Sequence, residues 1–176
     1  MKVAIYTLGC KVKLYESEVI MNSFKKSGYE IVDFEDNADI VIINTCTVTN
    51  TSDKKSRNII RQAVKKHEKA VIVVMGCYSQ VRSADIKEID GVDIIIGNTK
   101  KSKVVSLVEE YLKNKKSITE IDDIMHTDFE PMELDTFETR TRAFVKIQDG
   151  CNNFCSYCII PYSRGNIRSK EKEDVV

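Results

Sequence analysis

The residues of this 176-residue chain best suited to chemistry are its six cysteines. Cys151, Cys155 and Cys158 lie in CNNFCSYC, a C-x3-C-x2-C run whose thiolates can converge on a single metal centre. Three thiolates leave one iron of a 4Fe–4S cluster without a protein ligand, open to chelation by a substrate. A closed zinc site wants a fourth Cys or His, and none follows the run; His67 and His126 are both remote in sequence. The soft donor set therefore favours an iron–sulfur centre over a hard metal. The run is polar and contains Asn and Ser, unlike a core strand in which reduced cysteines merely pack.

Cys10, Cys46 and Cys77 are far apart in sequence, yet each follows a run that reads as a strand: YTLGC, IINTC and VVMGC. In a doubly wound sheet the carboxyl ends of the strands face one crevice, where ligands bind. Neighbouring strands stand about 4.8 Å apart, so three such ends can gather three thiolates. Gly9 and Gly76 precede two of them and permit tight turns with amides facing cluster sulfides.

The elements that must hold these residues alternate between strand and helix over the first hundred positions. Residues 2–8, 29–34, 39–44, 70–75 and 92–96 read as strands, and 39–44 is apolar enough to be covered on both faces. Residues 15–26, 53–67, 83–88 and 103–112 read as helices from apolar spacings of three and four. The pattern predicts an α/β fold, a doubly wound parallel sheet with helices on both faces and strand order 2-1-3-4-5. Residues 35–38 are too few for an ordinary parallel crossover, so a single helical turn is expected there, with strand 29–34 at the sheet edge. Three segments follow: 1–113 as a domain, 114–138 as a linker rich in Asp, Glu and Thr, and 139–176 as the incomplete start of a second unit. That unit opens with a strand at 143–147, and Pro161 is expected to keep the chain out of a helix.

Lys+Arg and Asp+Glu number 27 each, so global charge gives no case for nucleic-acid binding. A local case exists in the basic helix carrying Lys54, Lys55, Arg57, Arg61, Lys65 and Lys66, which reads either as a solvated face or as a surface for RNA phosphates. Lys100, Lys101 and Lys103 read as solvent-facing, and His67 as structural. Apolar residues at 42% with only 7 Gly and 2 Pro exclude wholesale disorder and collagen-like repeats. The amino terminus lacks secretory-signal character, and no apolar run reaches the roughly 18 residues of a membrane span. The expected location is the cytoplasm, where six cysteines are poor candidates for disulfides. There is no P-loop and no dinucleotide fingerprint.

CNNFCSYC resembles the signature of radical S-adenosylmethionine enzymes. TRAFVKIQDGCNNFCSYCIIPYSRG resembles the opening of the radical domain of methylthiotransferases, and LGCKVKLYESE, NTCTVTNTSDKKSR and MGCYSQ resemble that family's amino-terminal domain. The residues after Cys46 and Cys10 are most similar to the branch acting on threonylcarbamoyladenosine in tRNA. Lys13 departs from the pattern, where Asn is more usual.

The resemblance implies two 4Fe–4S clusters, S-adenosyl-L-methionine as cofactor, and tRNA and an electron-donor protein as partners. Cys151, Cys155 and Cys158 would hold the radical-generating cluster, with Tyr157 beside the cofactor's adenine. Cys10, Cys46 and Cys77 match the auxiliary cluster associated with sulfur delivery. The implied enzyme is a tRNA (N6-L-threonylcarbamoyladenosine-C2)-methylthiotransferase, in which a 5′-deoxyadenosyl radical activates C2 of the adenine for methylthio transfer. The second unit would begin a radical SAM partial (β/α) barrel, truncated here, so this chain alone is expected to be inactive. The alternatives are a non-enzymatic iron–sulfur or electron-carrier module, a structural zinc protein, and a methylthiotransferase acting on isopentenyladenosine in tRNA.

Overall fold

A computed structural model describes residues 1–132 and 144–175. Six strands form one wholly parallel sheet: β1 (Lys2–Thr7), β2 (Glu30–Val32), β3 (Ile40–Thr45), β4 (Val71–Gly76), β5 (Ile94–Ile96) and β6 (Ile118–Glu120). The order is β2-β1-β3-β4-β5-β6, which contains the expected 2-1-3-4-5 and adds a strand. The helices are α1 (Lys11–Lys26), α2 (Asn50–Lys66), α3 (Cys77–Lys87) and α4 (Val104–Asn114).

Side-chain alternation along the strands builds two cores. Ile40, Ile42, Val73, Met75, Ile94 and Ile96 meet Val19, Ile20 and Phe24 of α1 and Val104, Leu107 and Val108 of α4. The alternate residues, Val41, Ile43, Ile72, Val74 and Ile95, meet Ile59, Ile60 and Ala63 of α2 and Tyr78 and Ile86 of α3. Both faces of β3 and β4 are thus covered, which is why residues 40–43 and 71–75 are unbroken apolar runs.

The short link between β2 and β3 contains no helical turn. Residues 33–39 make a turn, with Asp36 N–H donating to Asp33 O at 3.0 Å. A crossover helix is unnecessary because β2 is only three residues long and pairs with the start of β1, in register with Lys2–Ala4. The return to Ile40, opposite Val3, covers only about 10 Å. Phe34 caps this link by packing edge-on to Tyr6, with ring centroids 4.9 Å apart.

Sequence expectation and structure differ further along. β6 comes from the segment read as a linker and extends the sheet beside β5. The expected boundary at 138/139 lies outside the described residues. The strand expected at 143–147 does not form over 144–147; instead β7 (Gln148–Asp149) pairs antiparallel with β8 (Arg168–Ser169). Pro161 does not exclude a helix. It sits in the first turn of α5 (Ile160–Arg164), where a missing N–H costs nothing. No barrel closes among the described residues. No described helix is long and apolar enough to cross a membrane.

Candidate metal centre and its charged surround

The parallel register brings one cysteine set to a common edge. Thr7 pairs with Asn44, and Thr45 pairs with Gly76, so Cys46 and Cys77 emerge side by side from β3 and β4, with the Gly9–Cys10 turn above β1 next to them. Cys10 is the N-cap of α1 and Cys77 begins α3, so both residues sit at helix amino termini. Ser56 donates its hydroxyl to Cys46 O at 2.9 Å, tying the end of β3 to α2.

Two glycines make this convergence possible. Gly9 has φ +118°, and a Cβ there would lie 2.9 Å from Cys46 Cβ and 3.0 Å from its Sγ. Gly76 has φ +107°, and a Cβ would lie 2.7 Å from Thr45 O and 2.8 Å from Asn44 Oδ1. Gly76→Ala therefore combines a forbidden conformation with a backbone clash, at a cost of about 1–3 kcal/mol or more. Chemical denaturation of the metal-free chain should show that loss; a change within about 0.5 kcal/mol would contradict the tight strand-end geometry.

Cys46 and Cys77 are buried, whereas Cys10 is exposed; all six cysteines are free thiols. Burial opposes ionisation of Cys77, but the Lys13 and Arg164 cations outweigh it and hold the thiol below its ordinary range. Asn98 Nδ2 donates to Cys77 Sγ at 3.4 Å. Asn44 Oδ1 and Arg164 Nη2 are buried without hydrogen-bond partners. A cradle open only to glycine, a thiol biased to its anion and an unspent guanidinium donor all suit an anionic, thiolate-ligated centre.

The second set is arranged differently. Cys151 and Cys158 are half-buried and Cys155 is exposed, on a loop between β7 and α5. Cys158 N–H donates to Cys155 O at 2.9 Å, and Cys151 N–H to Gly165 O at 3.1 Å. Phe154, with φ +44°, turns the chain between the first two thiols. Tyr157 is 90% exposed. Three reduced, accessible thiols on one hooked loop suit an iron–sulfur centre by donor type. No three Cys, His, Asp or Glu side chains among the described residues are grouped closely enough to hold a metal ion, and this applies to both sets.

A buried charge network joining the two sets was not legible in the sequence. Glu16, fully buried on α1, accepts from Lys13 Nζ at 2.9 Å and Lys101 Nζ at 2.7 Å. Arg164 approaches it at 3.5 Å and Lys146 at 3.8 Å. Asp149 takes Arg164 at 2.8 Å and Lys146 at 2.6 Å. Lys101, expected to face solvent, is fully buried here because Glu16 supplies its counter-charge. Burial opposes the charge on Glu16, yet the surrounding cations hold its carboxyl well below the usual range. Burial, and repulsion from Lys13, Lys146 and Arg164, overcome the pull of Glu16 on Lys101 and bring it down to about 8. Asn98, at the end of β5, accepts from Lys13 at 3.0 Å and donates to Ser163 O of α5 at 2.5 Å. Its place at a strand end, like that of the cysteines, is the one signal that could have marked it.

This sheet and its strand-end cysteines define a class of α/β domain, and residues 2–97 match the model described as uncharacterized protein family UPF0004. The chain belongs to that family. It is 48% identical over 175 residues to the Bacillus subtilis threonylcarbamoyladenosine tRNA methylthiotransferase MtaB, covering 99% of this chain and 39% of that protein. The Aquifex aeolicus protein of the same name is 41% identical over 181 residues, covering 100% and 43%. The ribosomal protein uS12 methylthiotransferase RimO of Caldicellulosiruptor saccharolyticus is 34% identical over 181 residues, covering 99% and 41%. The chain thus spans about two fifths of the length of these curated relatives.

Proposed function

We propose that this chain carries the two cysteine sets of a methylthiotransferase that modifies threonylcarbamoyladenosine in tRNA. The observation that carries the reading is the placement of Cys10, Cys46 and Cys77 just past the carboxyl ends of three adjacent parallel strands, beside a cationic surround suited to an anionic centre. The names of the Bacillus and Aquifex relatives support the substrate.

In this reading Cys10, Cys46 and Cys77 hold an auxiliary 4Fe–4S cluster, and Cys151, Cys155 and Cys158 a second cluster that S-adenosyl-L-methionine chelates. When bound, these groups supply reductive cleavage of the cofactor and the methylthio group. The chain's own contribution is placement. Gly9 and Gly76 let the backbone approach the strand ends, and Asn98 fixes Cys77 against α5. Tyr157 offers an exposed aromatic face for the adenine. The exposed Lys54, Lys55, Arg61 and Lys65 on α2 provide a surface for tRNA phosphates, whereas Arg57 is drawn inward by Tyr78, whose hydroxyl accepts from it at 3.0 Å. A separate electron-donor protein and a cytoplasmic location belong to the same proposal.

The test joins this chain to the remainder of the Bacillus subtilis relative in cells lacking the native enzyme and follows tRNA nucleosides by mass spectrometry. The expected product is 2-methylthio-threonylcarbamoyladenosine, with none from Met1–Val176 alone. Product on isopentenyladenosine would overturn the substrate while keeping the reaction class. Zinc bound in place of iron and labile sulfide would overturn the class.

A further inference from the structure

The charge network is unbalanced in a way that ion pairing within the fold does not explain. Among the described residues four cations, Lys13, Lys101, Lys146 and Arg164, share two carboxylates, Glu16 and Asp149, a surplus of two positive charges within that set. Uncompensated buried charge is expensive, so such a surplus calls for an anion. The Cys77 thiol, buried beside this network, is a candidate for it. Asn98 bridges the two groups, donating to Cys77 Sγ at 3.4 Å and accepting from Lys13 Nζ at 3.0 Å. Arg164, 5% exposed, keeps Nη2 unpartnered. Arg164 also belongs to α5, directly after the other cysteine run, so its position depends on how that run is seated.

We propose that Lys13 and Arg164 set the reduction potential of the centre held by Cys10, Cys46 and Cys77, with Arg164 reaching it from the segment that bears the other cysteines. This rests on the reading of those three cysteines as cluster ligands. Reduction adds one electron to the centre, and a fixed cation nearby stabilises that added charge. Removing either cation makes the centre harder to reduce. Because cations are in surplus, neither removal strands a carboxylate: Glu16 retains Lys101, and Asp149 retains Lys146. A residue that only held the fold together would alter stability and leave the potential unmoved.

The experiment uses the 176-residue chain with Cys151, Cys155 and Cys158 replaced by Ser, reconstituted anaerobically with iron and sulfide and titrated with dithionite under electron paramagnetic resonance. Lys13→Met and Arg164→Gln should each lower the reduced-to-oxidised ratio at fixed potential about tenfold, a shift of about 59 mV to more negative values for one electron. Arg164→Lys, which keeps the charge, should return most of that shift. Two positions on separate elements keep the test decisive if one variant does not fold. Iron bound normally with unchanged potentials in the folded variants would overturn the proposal and leave the ligand assignment standing. No iron retained by Cys10, Cys46 and Cys77 would overturn the ligand assignment and the proposal with it.

Discussion

Glu16→Ala is expected to destabilise the metal-free chain by about 3–5 kcal/mol, the cost of breaking a buried ion pair by removing one partner. Glu16 is the only carboxylate within reach of Lys13 and Lys101 among the described contacts, and both lysines are fully buried. Its loss would leave four interior cations facing Asp149 as their one remaining carboxylate partner among the described residues. Against a typical domain stability of about 5–15 kcal/mol, the variant would be marginal or unfolded. The contrast is Glu35, which pairs with Lys66 on the surface with its side chain 78% exposed. Glu35→Ala should cost no more than about 1 kcal/mol. Urea denaturation of both variants checks the comparison, and equal effects would contradict the network as drawn. The same carboxylates set the acid response. Glu16 and Asp149 are both held below the usual carboxylate range, so the stability they contribute is present above about pH 4 and is lost as pH falls through their folded values. Glu16→Ala should therefore flatten the acid limb of the stability–pH curve as well as lower its plateau.

The second large effect is on metal content. Anaerobic reconstitution of the chain should give about eight irons with matching labile sulfide, and Cys10→Ala, Cys46→Ala, Cys77→Ala together should reduce this to about four. The basis is positional: these cysteines follow β1, β3 and β4, which are adjacent and parallel, with Thr7 opposite Asn44 and Thr45 opposite Gly76. The complementary replacement of Cys151, Cys155 and Cys158 should remove the other half. Iron content unchanged by the first triple replacement would refute a second centre at the strand ends. All iron lost on removal of either set would instead mean that the two sets build one site.

Much of this architecture could be read from local pattern. IVII of residues 40–43 and VIVVM of residues 71–75 are apolar on both faces, which only a strand covered on two sides requires, and they lie in the central strands β3 and β4. The placement of Cys10, Cys46 and Cys77 after strands followed from the same runs, and parallel pairing then brought them to one edge. Local pattern misplaced what depends on distant partners. The segment 118–120 has too few apolar residues to announce a strand, and becomes β6 only because the edge of β5 is free to pair. Residues 144–147 have strand-like composition, yet they form no strand; only the last of them, Ile147, accepts a backbone hydrogen bond from across the hairpin, from Lys170 at 2.8 Å. Pro161 was read as a helix breaker, but its position in the first turn of α5 removes the penalty.

The charged interior marks the sharper division. Lys13, Glu16, Lys101 and Arg164 are the residue types that composition assigns to solvent, and a lysine at the start of a helix gives no local sign of burial. Sequence by itself determined the alternation of elements, the strands that form the middle of the sheet and the strand-end positions of Cys10, Cys46 and Cys77, because each rests on residue type and short-range periodicity. Tertiary structure alone decided that Glu16 would meet Lys101 from 85 residues away and Arg164 from 148 away. A buried charge is tolerable only where its partner arrives, and that arrival is a property of the whole folded chain.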